Sequence, residues 1–582
     1  MNKTSNKLFF EELINKIHNN NISSAKELNL LKIKLAKKYK INKVVKNSQI
    51  IGFADKETRE KLINLLNIKP IRDISGVNVV ALFTKPHNCP HGRCVYCPGG
   101  LKSEFGDTPQ SYTGFEPAAL RAIRNNYDPY FQVFNRLEHY VINGKIPDKL
   151  ELIFMGGTFP VLDKNYRDNF VYYVYKAIND FSEEFLYLDE NNKKQVDFKK
   201  FNIFFETDKD LNSKEREKNI LEKFEQLKYN NNNDSCDNYK DEIKKVQYAL
   251  IRPIGLTIET RPDETLKKSC LEMLNYGCTR FEIGVQSLND EVLKKNNRGH
   301  GLKEIKESFE ILKDMCFKIN VHMMIGLAFS DIAKDKKSLI DLFKDRSFRP
   351  DMIKIYPCLV VRGTKLYDMY KLGQYTPIKT QKASEIISKS FKYFPRYVRV
   401  MRVQRDIPTQ NVVAGVLNSN LRDYVDAKLK NENIISIDIR SREIGHRLLK
   451  GYNIGDFKIK VTKYDSSGGI DFFIESVDNQ DTLMGFVRLR FPGEYGYIDE
   501  ISEGSALIRE LHIYGSTVSV GNCGDVKDFQ HKGWGKKLLQ KAEDIAKEHG
   551  FEKMVVISGV GVREYYQKLG YHLEKYYMVK KI

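Results

Sequence analysis

The sequence predicts an α/β protein with a helical N-terminal region, then a partial (β/α) barrel, and then a second α/β domain. Three observations support this prediction. Residues 1–75 carry apolar side chains at helical spacing, short apolar strands alternate with amphipathic helices from about residue 76, and a second series of strands begins near residue 452. A chain of 582 residues is too long for one hydrophobic core, since domains usually contain about 150 residues.

The N-terminal region is predicted to be helical and basic. Phe9, Leu13 and Ile17 recur at helical spacing, and residues 62–68 contain a second apolar stripe. A basic stretch from Lys32 to Lys40 lies between them. Its lysines can form either a solvated helix face or a phosphate-binding face, and the sequence leaves both readings open.

The barrel prediction rests on six short apolar runs that end in small or polar residues. These predicted strands are 77–82, 150–155, 254–259, 280–285, 319–324 and 352–356. Parallel βα folds bind ligands at the carboxyl ends of their strands, so a binding site is expected there. Residues 208–246 interrupt the series, and their Lys, Glu and Asn content predicts a flexible surface insertion.

Two further segments complete the predicted organisation. Residues 396–451 form a connector rich in arginine, whose planar guanidinium suits phosphate groups. The C-terminal unit, residues 452–582, contains a glycine turn around Gly533 and Gly535 that opens a helix over 535–549. Glycines let backbone amides approach an anion, and a helix N-terminus adds positive potential, so this turn is suited to a pyrophosphate.

Three closely spaced cysteines are the main chemical signal. Four residues separate Cys89 from Cys94, and two separate Cys94 from Cys97. Three such thiolates can hold three corners of an iron–sulfur cube, which leaves one iron open to a small molecule such as S-adenosylmethionine (SAM). A zinc site would take a fourth Cys or His ligand, and His87 and His91 keep that alternative open.

Composition indicates the compartment and the class of partner. The net charge of +19 favours an anionic partner, most often nucleic acid, although a lysine-rich proteome would give the same excess. No apolar run approaches the ~18 residues that span a bilayer. The start lacks a signal-peptide core, and the nine cysteines do not form a disulfide framework. A cytoplasmic protein without membrane contact is expected.

Several longer runs of the sequence resemble the family that contains the catalytic subunit of Elongator. Members of this family are tRNA acetyltransferases with a radical-SAM domain and a lysine-acetyltransferase-like domain. The matching runs are residues 85–100, 155–159, 258–263, 277–287, 297–300, 404–408, 509–515 and 558–570. The resemblance covers nearly everything from about residue 70 onward, and two unrelated catalytic modules in one order make it specific. The cysteine spacing is similar to that of compact archaeal and bacterial-type members.

The resemblance implies a radical-SAM partial barrel over residues 76–395 and a GNAT-type acetyltransferase domain over residues 452–582. The implied reaction is carboxymethylation at C5 of the wobble uridine (position 34) of tRNA. A [4Fe–4S] cluster on Cys89, Cys94 and Cys97 would reduce SAM to a 5′-deoxyadenosyl radical. That radical would take hydrogen from the methyl group of acetyl-CoA, and the resulting carbon radical would add to uridine C5. Oxidation and thioester hydrolysis would then leave the carboxymethyl group.

The resemblance and the charge pattern together assign the remaining site residues. The implied SAM-binding residues are Gly156, Gly157, Thr158, Glu259, Arg261, Gln286 and Ser287. The implied acetyl-CoA-binding residues are Gln530, His531, Lys532, Gly533, Trp534, Gly535 and Lys536, with Tyr565 or Tyr566 as the catalytic residue and the other tyrosine in the core. The expected tRNA contacts are Lys32, Lys37, Lys38, Lys40, Arg399, Arg402 and Arg405.

The resemblance also implies protein partners, and the residues leave alternative functions open. An electron donor protein is expected, and a homodimer is left open. Ser441 stands where relatives often have a cysteine, so a structural zinc in the connector is doubtful. One alternative function is a protein lysine acetyltransferase with a structural iron–sulfur domain. Another is a radical-SAM methylthiotransferase with a regulatory acyl-CoA sensor, but the other cysteines lack the spacing of the second cluster it would need.

Overall fold

A computed structural model describes most of the chain. The described residues are 3–19, 22, 24–41, 50, 54, 76–207, 209, 213–229, 238–404, 407–514 and 533–582. The predicted apolar stripe at 62–68, the predicted tRNA contact Arg405 and the predicted acetyl-CoA contacts Gln530, His531 and Lys532 lie outside them.

Helices and strands alternate along the described chain. The helices are α1 (Lys3–Asn19), α2 (Ala25–Lys38), α3 (Pro117–Arg124), α4 (Pro129–Ile142), α5 (Lys164–Phe185), α6 (Phe198–Phe204), α7 (Lys214–Tyr229), α8 (Tyr239–Val246), α9 (Lys267–Asn275), α10 (Asp290–Lys295), α11 (Leu302–Asp314), α12 (Ile332–Lys344), α13 (Lys365–Lys371), α14 (Thr380–Ser390), α15 (Leu421–Asn431), α16 (Ile439–Arg442), α17 (Ile444–Leu449), α18 (Trp534–Glu548) and α19 (Arg563–Gln567).

The strands are β1 (Val77–Phe83), β2 (Gly100–Ser103), β3 (Gly106–Thr108), β4 (Lys149–Met155), β5 (Leu186–Leu188), β6 (Lys194–Val196), β7 (Arg252–Thr260), β8 (Cys278–Gln286), β9 (Lys318–Ile325), β10 (Met352–Pro357), β11 (Val360–Val361), β12 (Arg399–Val403), β13 (Val412–Ala414), β14 (Lys458–Ser466), β15 (Gly469–Val477), β16 (Leu483–Phe491), β17 (Ser505–Ile513), β18 (Lys553–Val556), β19 (His572–Glu574) and β20 (Tyr577–Lys581).

The chain divides into two compact units. The first comprises residues 1–73, 129–150 and 171–252, and the second comprises the rest. In the first unit, α1 and α2 pack together through buried Phe9, Leu13 and Leu28. The predicted helical N-terminal region is therefore confirmed, because the stripe at helical spacing is the buried face.

The structure of the segment 208–246 differs from the sequence prediction. It was expected to be flexible, but α7 and α8 are both formed within it. Arg216, Ile220 and Phe224 repeat at a spacing of four residues and are buried, and Arg216 donates to Glu138 at 2.6 Å. The charged residues that suggested disorder cover the exposed face of an amphipathic helix, which average composition does not reveal.

A seven-stranded sheet forms the frame of the second unit. Its strand order is β1-β4-β7-β8-β9-β10-β12, and the pairs from β7 to β12 are parallel. All six predicted strands are present, which confirms the partial barrel. The last strand, β12, comes from the predicted arginine connector, so the sheet extends beyond residue 395.

The C-terminal residues form a second seven-stranded sheet, ordered β14-β15-β16-β17-β18-β20-β19. Strands β17 and β18 run parallel, and their pairing ends at Ile508 and Val556 although β17 continues to Ile513. Helix α18 packs against the sheet through Leu538, Leu539 and neighbouring apolar residues. This arrangement places the N-terminus of α18 beside the end of β17 that extends beyond its pairing with β18.

A buried ionic cluster joins the two sheets within the second unit. Arg509 of β17 donates to both carboxylate oxygens of Asp351, at 2.8 and 2.6 Å, just before β10 begins. Lys313, at the end of α11, donates to Asp471 of β15 at 2.8 Å. Because buried charges must be paired, these contacts hold the sheets in one arrangement.

One negative finding concerns membranes. Among the described residues, no helix is both long enough and apolar enough to cross a bilayer.

Candidate active site

The three predicted cluster cysteines line a single pocket at the carboxyl ends of the first sheet's strands. Cys89 Sγ lies 3.9 Å from Thr158 Oγ1, in the turn after β4. The Cys97 thiol donates to Gln110 Oε1 at 3.1 Å. The loop after β1 thus brings all three thiols to the edge where β4 ends, as expected for ligands in a parallel sheet.

A guanidinium group and an imidazole ring approach the Cys94 thiol. Arg298 Nη1 donates to Cys94 Sγ at 3.3 Å, and His91 Nε2 lies 3.2 Å from the same sulfur. Arg298 is itself buried and donates to the backbone carbonyl of Gly284 at 2.7 Å.

The donor set fits an iron–sulfur cluster with three protein ligands. Burial raises the pKa of the Cys97 thiol to about 12, and binding to iron would release that proton. Gly157 has φ +113, and a Cβ there would stand 3.1 Å from Gln110 and 4.0 Å from Cys89 Sγ. Glycine at this position therefore leaves space beside the cysteines that a side chain would fill.

Five of the predicted SAM-binding residues line the same pocket. They are Gly157, Thr158, Glu259, Arg261 and Gln286. Arg261 Nη1 and Gln286 Oε1 are buried and have no hydrogen-bond partner among the described residues. Gln286 also has φ +69, a strained conformation for a residue other than glycine. Unsatisfied buried groups in a pocket are available to a polar ligand.

The other two predicted SAM-binding residues lie differently. Gly156 packs against Thr84, since a Cβ would meet the Thr84 hydroxyl at 2.6 Å. Ser287 Oγ faces Ser338 Oγ at 3.4 Å and does not line the pocket. Both support the turns at the strand ends rather than the pocket surface, and their predicted contact with SAM remains a prediction.

Sequence reasoning missed a charged group inside the same pocket. Glu282 of β8, His322 of β9 and Lys354 of β10 all line it. Lys354 donates to Glu282, and His322 Nε2 lies 3.0 Å from Glu282 Oε2. The available signal was the presence of ionisable residues inside otherwise apolar strands, at positions where a core strand carries apolar side chains.

The predicted acetyl-CoA turn is described from Gly533 onward. Gly533 has φ +76 and precedes the first residue of α18, Trp534, whose ring packs near Phe457. A Cβ on Gly535 would lie 2.6 Å from the Tyr565 hydroxyl. The N-terminus of α18 and the Tyr565 hydroxyl therefore meet beside the end of β17 that extends beyond its pairing with β18.

The two candidate tyrosines differ in environment. Tyr566 is buried in the core with Tyr571 and Met578, whereas Tyr565 is half-buried and packs at the edge of that core. Burial raises the pKa of both phenols. The hydroxyl of Tyr565 is the one that reaches the turn, which favours Tyr565 as the functional residue.

The predicted tRNA contacts fall into different environments. Lys37 and Lys40 are exposed, Lys32 is buried, and Lys38 donates to Glu12 at 2.6 Å. Arg402 is exposed and lines the pocket that holds the cysteines.

Arg399 departs from its predicted role. It donates to Tyr514 Oη at 2.7 Å and lies 2.8 Å from the carboxylate of Glu443. These contacts already compensate its charge within the protein, which argues against a phosphate contact. The fork geometry that suits phosphate also suits a carboxylate, and the sequence alone does not distinguish them.

Ser441, the connector residue considered for zinc, is bonded within its own turn. Its hydroxyl donates to the backbone carbonyls of Ser436 and Asp438, each at 2.9 Å. Asp438 in turn accepts from backbone N–H groups at the start of α16. These are the contacts of a helix cap.

Family models match in the order of these structural parts. An ELP3 N-terminal domain matches residues 7–74, the radical SAM superfamily matches 234–338, a radical SAM C-terminal domain matches 350–431, and the GNAT acetyltransferase family matches 450–571. Elongator complex protein 3 of Bos taurus is 38% identical, over 96% of this chain and 93% of the relative. The chain belongs to the Elongator complex protein 3 family.

Archaeal relatives in this family are similarly close. A protein of Methanocaldococcus jannaschii named tRNA uridine(34) acetyltransferase is 40% identical, over 92% of this chain and 90% of its own length. The solved structure of Methanocaldococcus infernus Elp3 lacking residues 1–46 matches with a TM-score of 0.68 and 33% identity. It covers 88% of this chain and all of the archaeal chain. As a family member the protein is a radical-SAM enzyme with an acetyltransferase domain.

Proposed function

We propose that this Elongator complex protein 3 family member carboxymethylates C5 of the wobble uridine of tRNA, with acetyl-CoA and SAM as co-substrates. The observation that carries the proposal is one pocket in which Cys89, Cys94 and Cys97 meet buried polar groups that lack partners. The same structural unit contains an acetyltransferase sheet. Relatives named tRNA uridine(34) acetyltransferase support tRNA as the substrate.

Different pocket residues would bind the iron–sulfur cluster and SAM. Cys89, Cys94 and Cys97 would hold a [4Fe–4S] cluster. With SAM bound, that cluster supplies the 5′-deoxyadenosyl radical needed to take hydrogen from an unreactive methyl group. Arg261 Nη1 is a buried donor suited to the SAM carboxylate, and Gln286 Oε1 is an acceptor suited to an amine or hydroxyl.

The acetyltransferase site would present the acetyl group. Backbone N–H groups at the start of α18 are suited to the pyrophosphate of acetyl-CoA, since they are unpaired in the first turn of a helix. Lys536 adds positive charge in that turn. The Tyr565 hydroxyl, beside Gly535, would donate a proton to the departing thiolate or position the acetyl group.

Transfer RNA would be held mainly through phosphate contacts. The exposed lysines Lys37 and Lys40 and the exposed Arg402 are candidates, because a net charge of +19 leaves a large excess of cations. Arg402 is the member of this set that also lines the cluster pocket, so it would contact RNA close to the target nucleotide. A one-electron donor protein would supply the reducing equivalent.

The decisive experiment uses cluster-reconstituted protein under anaerobic conditions. It is incubated with tRNA, SAM, a reductant and acetyl-CoA, and the wobble nucleoside is then analysed by mass spectrometry. We expect carboxymethyluridine at position 34. The variant with Cys89, Cys94 and Cys97 all changed to Ala is the matched control and should form none. Acetylated lysine on added protein, with unmodified tRNA, would overturn the proposal.

A further inference from the structure

One wall of the cluster pocket carries charged side chains that the proposed function has not used. Strand order puts β1, which leads into the cysteine loop, at one end of the sheet and β10 and β12 at the other. Glu282, His322 and Lys354 stand on β8, β9 and β10, inside the pocket. This wall is therefore built by strands other than the one that leads to the cysteines.

The group is arranged as two donors on one carboxylate. Lys354 donates to Glu282, His322 Nε2 lies 3.0 Å from it, and the Asn320 amide donates to its second oxygen at 3.0 Å. Although burial opposes ionisation, Lys354 and His322 hold the pKa of Glu282 well below its usual range. Glu282 is thus a fixed anion that orients both donors.

Both donors keep surface open to the pocket. Glu282 is only 1% exposed at its side chain, whereas Lys354 is 12% and His322 17% exposed. An ammonium has three hydrogens, so Lys354 retains donors after its bond to Glu282. The ammonium group of Lys354 thereby places a positive charge beside the Glu282 carboxylate.

The surroundings are suited to a flat ring. Tyr356 follows Lys354 on the same face of β10, and its ring stands edge-to-face with His322 at 5.6 Å between centroids. Met324 and Leu359 add apolar surface to the same pocket. Aromatic and apolar walls favour stacking with a nucleobase.

An acceptor lies beside the donors. Single ligand atoms of Glu259, Glu282 and His322 all lie within 4.8 Å of one another. Tyr112 Oη donates to Glu259 at 3.0 Å, which fixes that carboxyl group. The wall therefore offers donors and an acceptor side by side, and Arg402 lines the same pocket as a cation exposed to solvent.

This pattern matches the pairing edge of uracil. Uracil presents an acceptor at O4, a donor at N3 and an acceptor at O2, whereas cytosine presents an amino group in place of O4 and an acceptor at N3. The remaining N–H groups of Lys354 suit O4, and a carboxylate suits the N3 hydrogen. With cytosine, the donors would face a donor and the carboxylate would face an acceptor.

We propose that Lys354, oriented by Glu282, binds the C4 carbonyl oxygen of the target uracil and thereby turns its C5 toward the cluster cysteines. C5 and N3 lie on opposite sides of C4, so holding O4 and the N3 hydrogen together fixes the direction of C5. The inference rests on the proposed function and identifies how that site recognises its base. Lys354 is a binding residue, and Glu282 is a positioning residue.

The test combines an atomic change in the RNA with a change in the protein. Cluster-reconstituted holoenzyme is given tRNA with uridine, 4-thiouridine or cytidine at position 34, because sulfur at C4 is a weaker acceptor than oxygen. We expect 4-thiouridine to lower kcat/KM of the wild type at least about tenfold, since a hydrogen bond from a charged donor is lost. Lys354→Met should lower it to a similar degree with uridine.

The decisive outcome is that the losses caused by the RNA change and by the protein change are not additive. In Lys354→Met, replacing uridine with 4-thiouridine should cause little further loss, because the partner of O4 has been removed. The affinity for tRNA should stay within about threefold of wild type, since phosphate contacts dominate it. Lys365→Met removes an exposed lysine and is the matched control.

Other outcomes would overturn the inference. Equal rates with uridine and 4-thiouridine in the wild type would do so without any variant, which covers the case where Lys354→Met fails to fold. Additive losses would also overturn it. Weaker SAM binding by Lys354→Met without tRNA would assign Lys354 to SAM instead. A wild type that modifies no tRNA would reject the proposed function itself, which is a separate result.

Discussion

Arg509 and Asp351 face each other across the contact between the two sheets, with both guanidinium nitrogens donating to both carboxylate oxygens at 2.8 and 2.6 Å. Arg488 also lies 3.5 Å from Asp351. All three side chains are almost wholly buried. Two buried arginines of the acetyltransferase sheet therefore share the carboxylate of Asp351, so the domains are expected to move together rather than separately.

The first prediction follows from this pairing. Asp351→Asn removes the carboxylate that binds both Nη atoms of Arg509 and leaves that buried arginine with Asp471 at 3.6 Å, so the free energy of unfolding should fall by about 3–5 kcal/mol. Denaturant unfolding measures the change. Asp426→Asn removes an exposed partner of Arg422 and should cost at most about 0.5 kcal/mol. Equal losses in the two variants would contradict this reading.

The second prediction concerns acid. Burial opposes ionisation of Asp471, but Lys313, Arg509 and Arg490 lower its pKa to about 2. An unfolded Asp has a pKa near ~3.9, so this carboxylate stabilises the folded state above about pH 4 and loses that effect as pH falls toward 2. The contribution is about 2 kcal/mol.

Unfolding by urea at pH 5, 4 and 3 checks this sign. The wild type should exceed Asp471→Asn in stability at pH 5, and the difference should shrink as the pH falls. A difference that grows on acidification would refute the assignment.

The third prediction concerns the cation beside Cys94. Arg298 places a buried positive charge 3.3 Å from a predicted cluster ligand, and such a charge stabilises the more negative, reduced state of a cluster. Arg298→Gln should therefore make the midpoint potential more negative, with Arg298→Lys in between. A shift of about 60 mV would be a tenfold change for one electron. Redox titration followed by EPR gives the value, and matched iron content is the control.

The fourth prediction separates the two tyrosines. Tyr565 reaches Gly535, whereas Tyr566 is buried in the core. Tyr565→Phe should lower tRNA-dependent release of coenzyme A at least about a hundredfold if its hydroxyl transfers a proton. Tyr566→Phe keeps the ring that packs and should change the rate less than about threefold. Release that does not depend on tRNA in the wild type would show that the two chemistries are uncoupled.

The fifth prediction concerns RNA binding. Changing exposed Lys37, Lys40 and Arg402 singly to Glu should weaken tRNA binding and reduce the dependence of log affinity on log salt by about one unit each. Lys547→Glu, at the exposed end of α18, is a charge-matched control. Filter binding over a salt series measures both quantities. An unchanged slope in all three variants would remove these residues from the RNA surface.

Much of the site was predictable because its signals are local in the chain. Cys89, Cys94 and Cys97 are close neighbours in sequence, so one loop must bring their thiols together. Glycines at the ends of apolar runs marked the strand ends, and the pocket lies there. Tyr565 and Tyr566 were both plausible, however, since neighbouring residues on a helix differ only in which face the fold buries.

The sequence by itself determined the order of the modules, the strands of the first sheet and the cysteine loop, because these depend on short-range spacing and periodicity. Tertiary structure alone decided which side chains meet. Glu282 faces Lys354 across 72 residues, and Arg509 faces Asp351 across 158. The position of each side chain in the fold decides its partner: Arg399 pairs with Glu443, and Arg402, three residues later, lines the pocket.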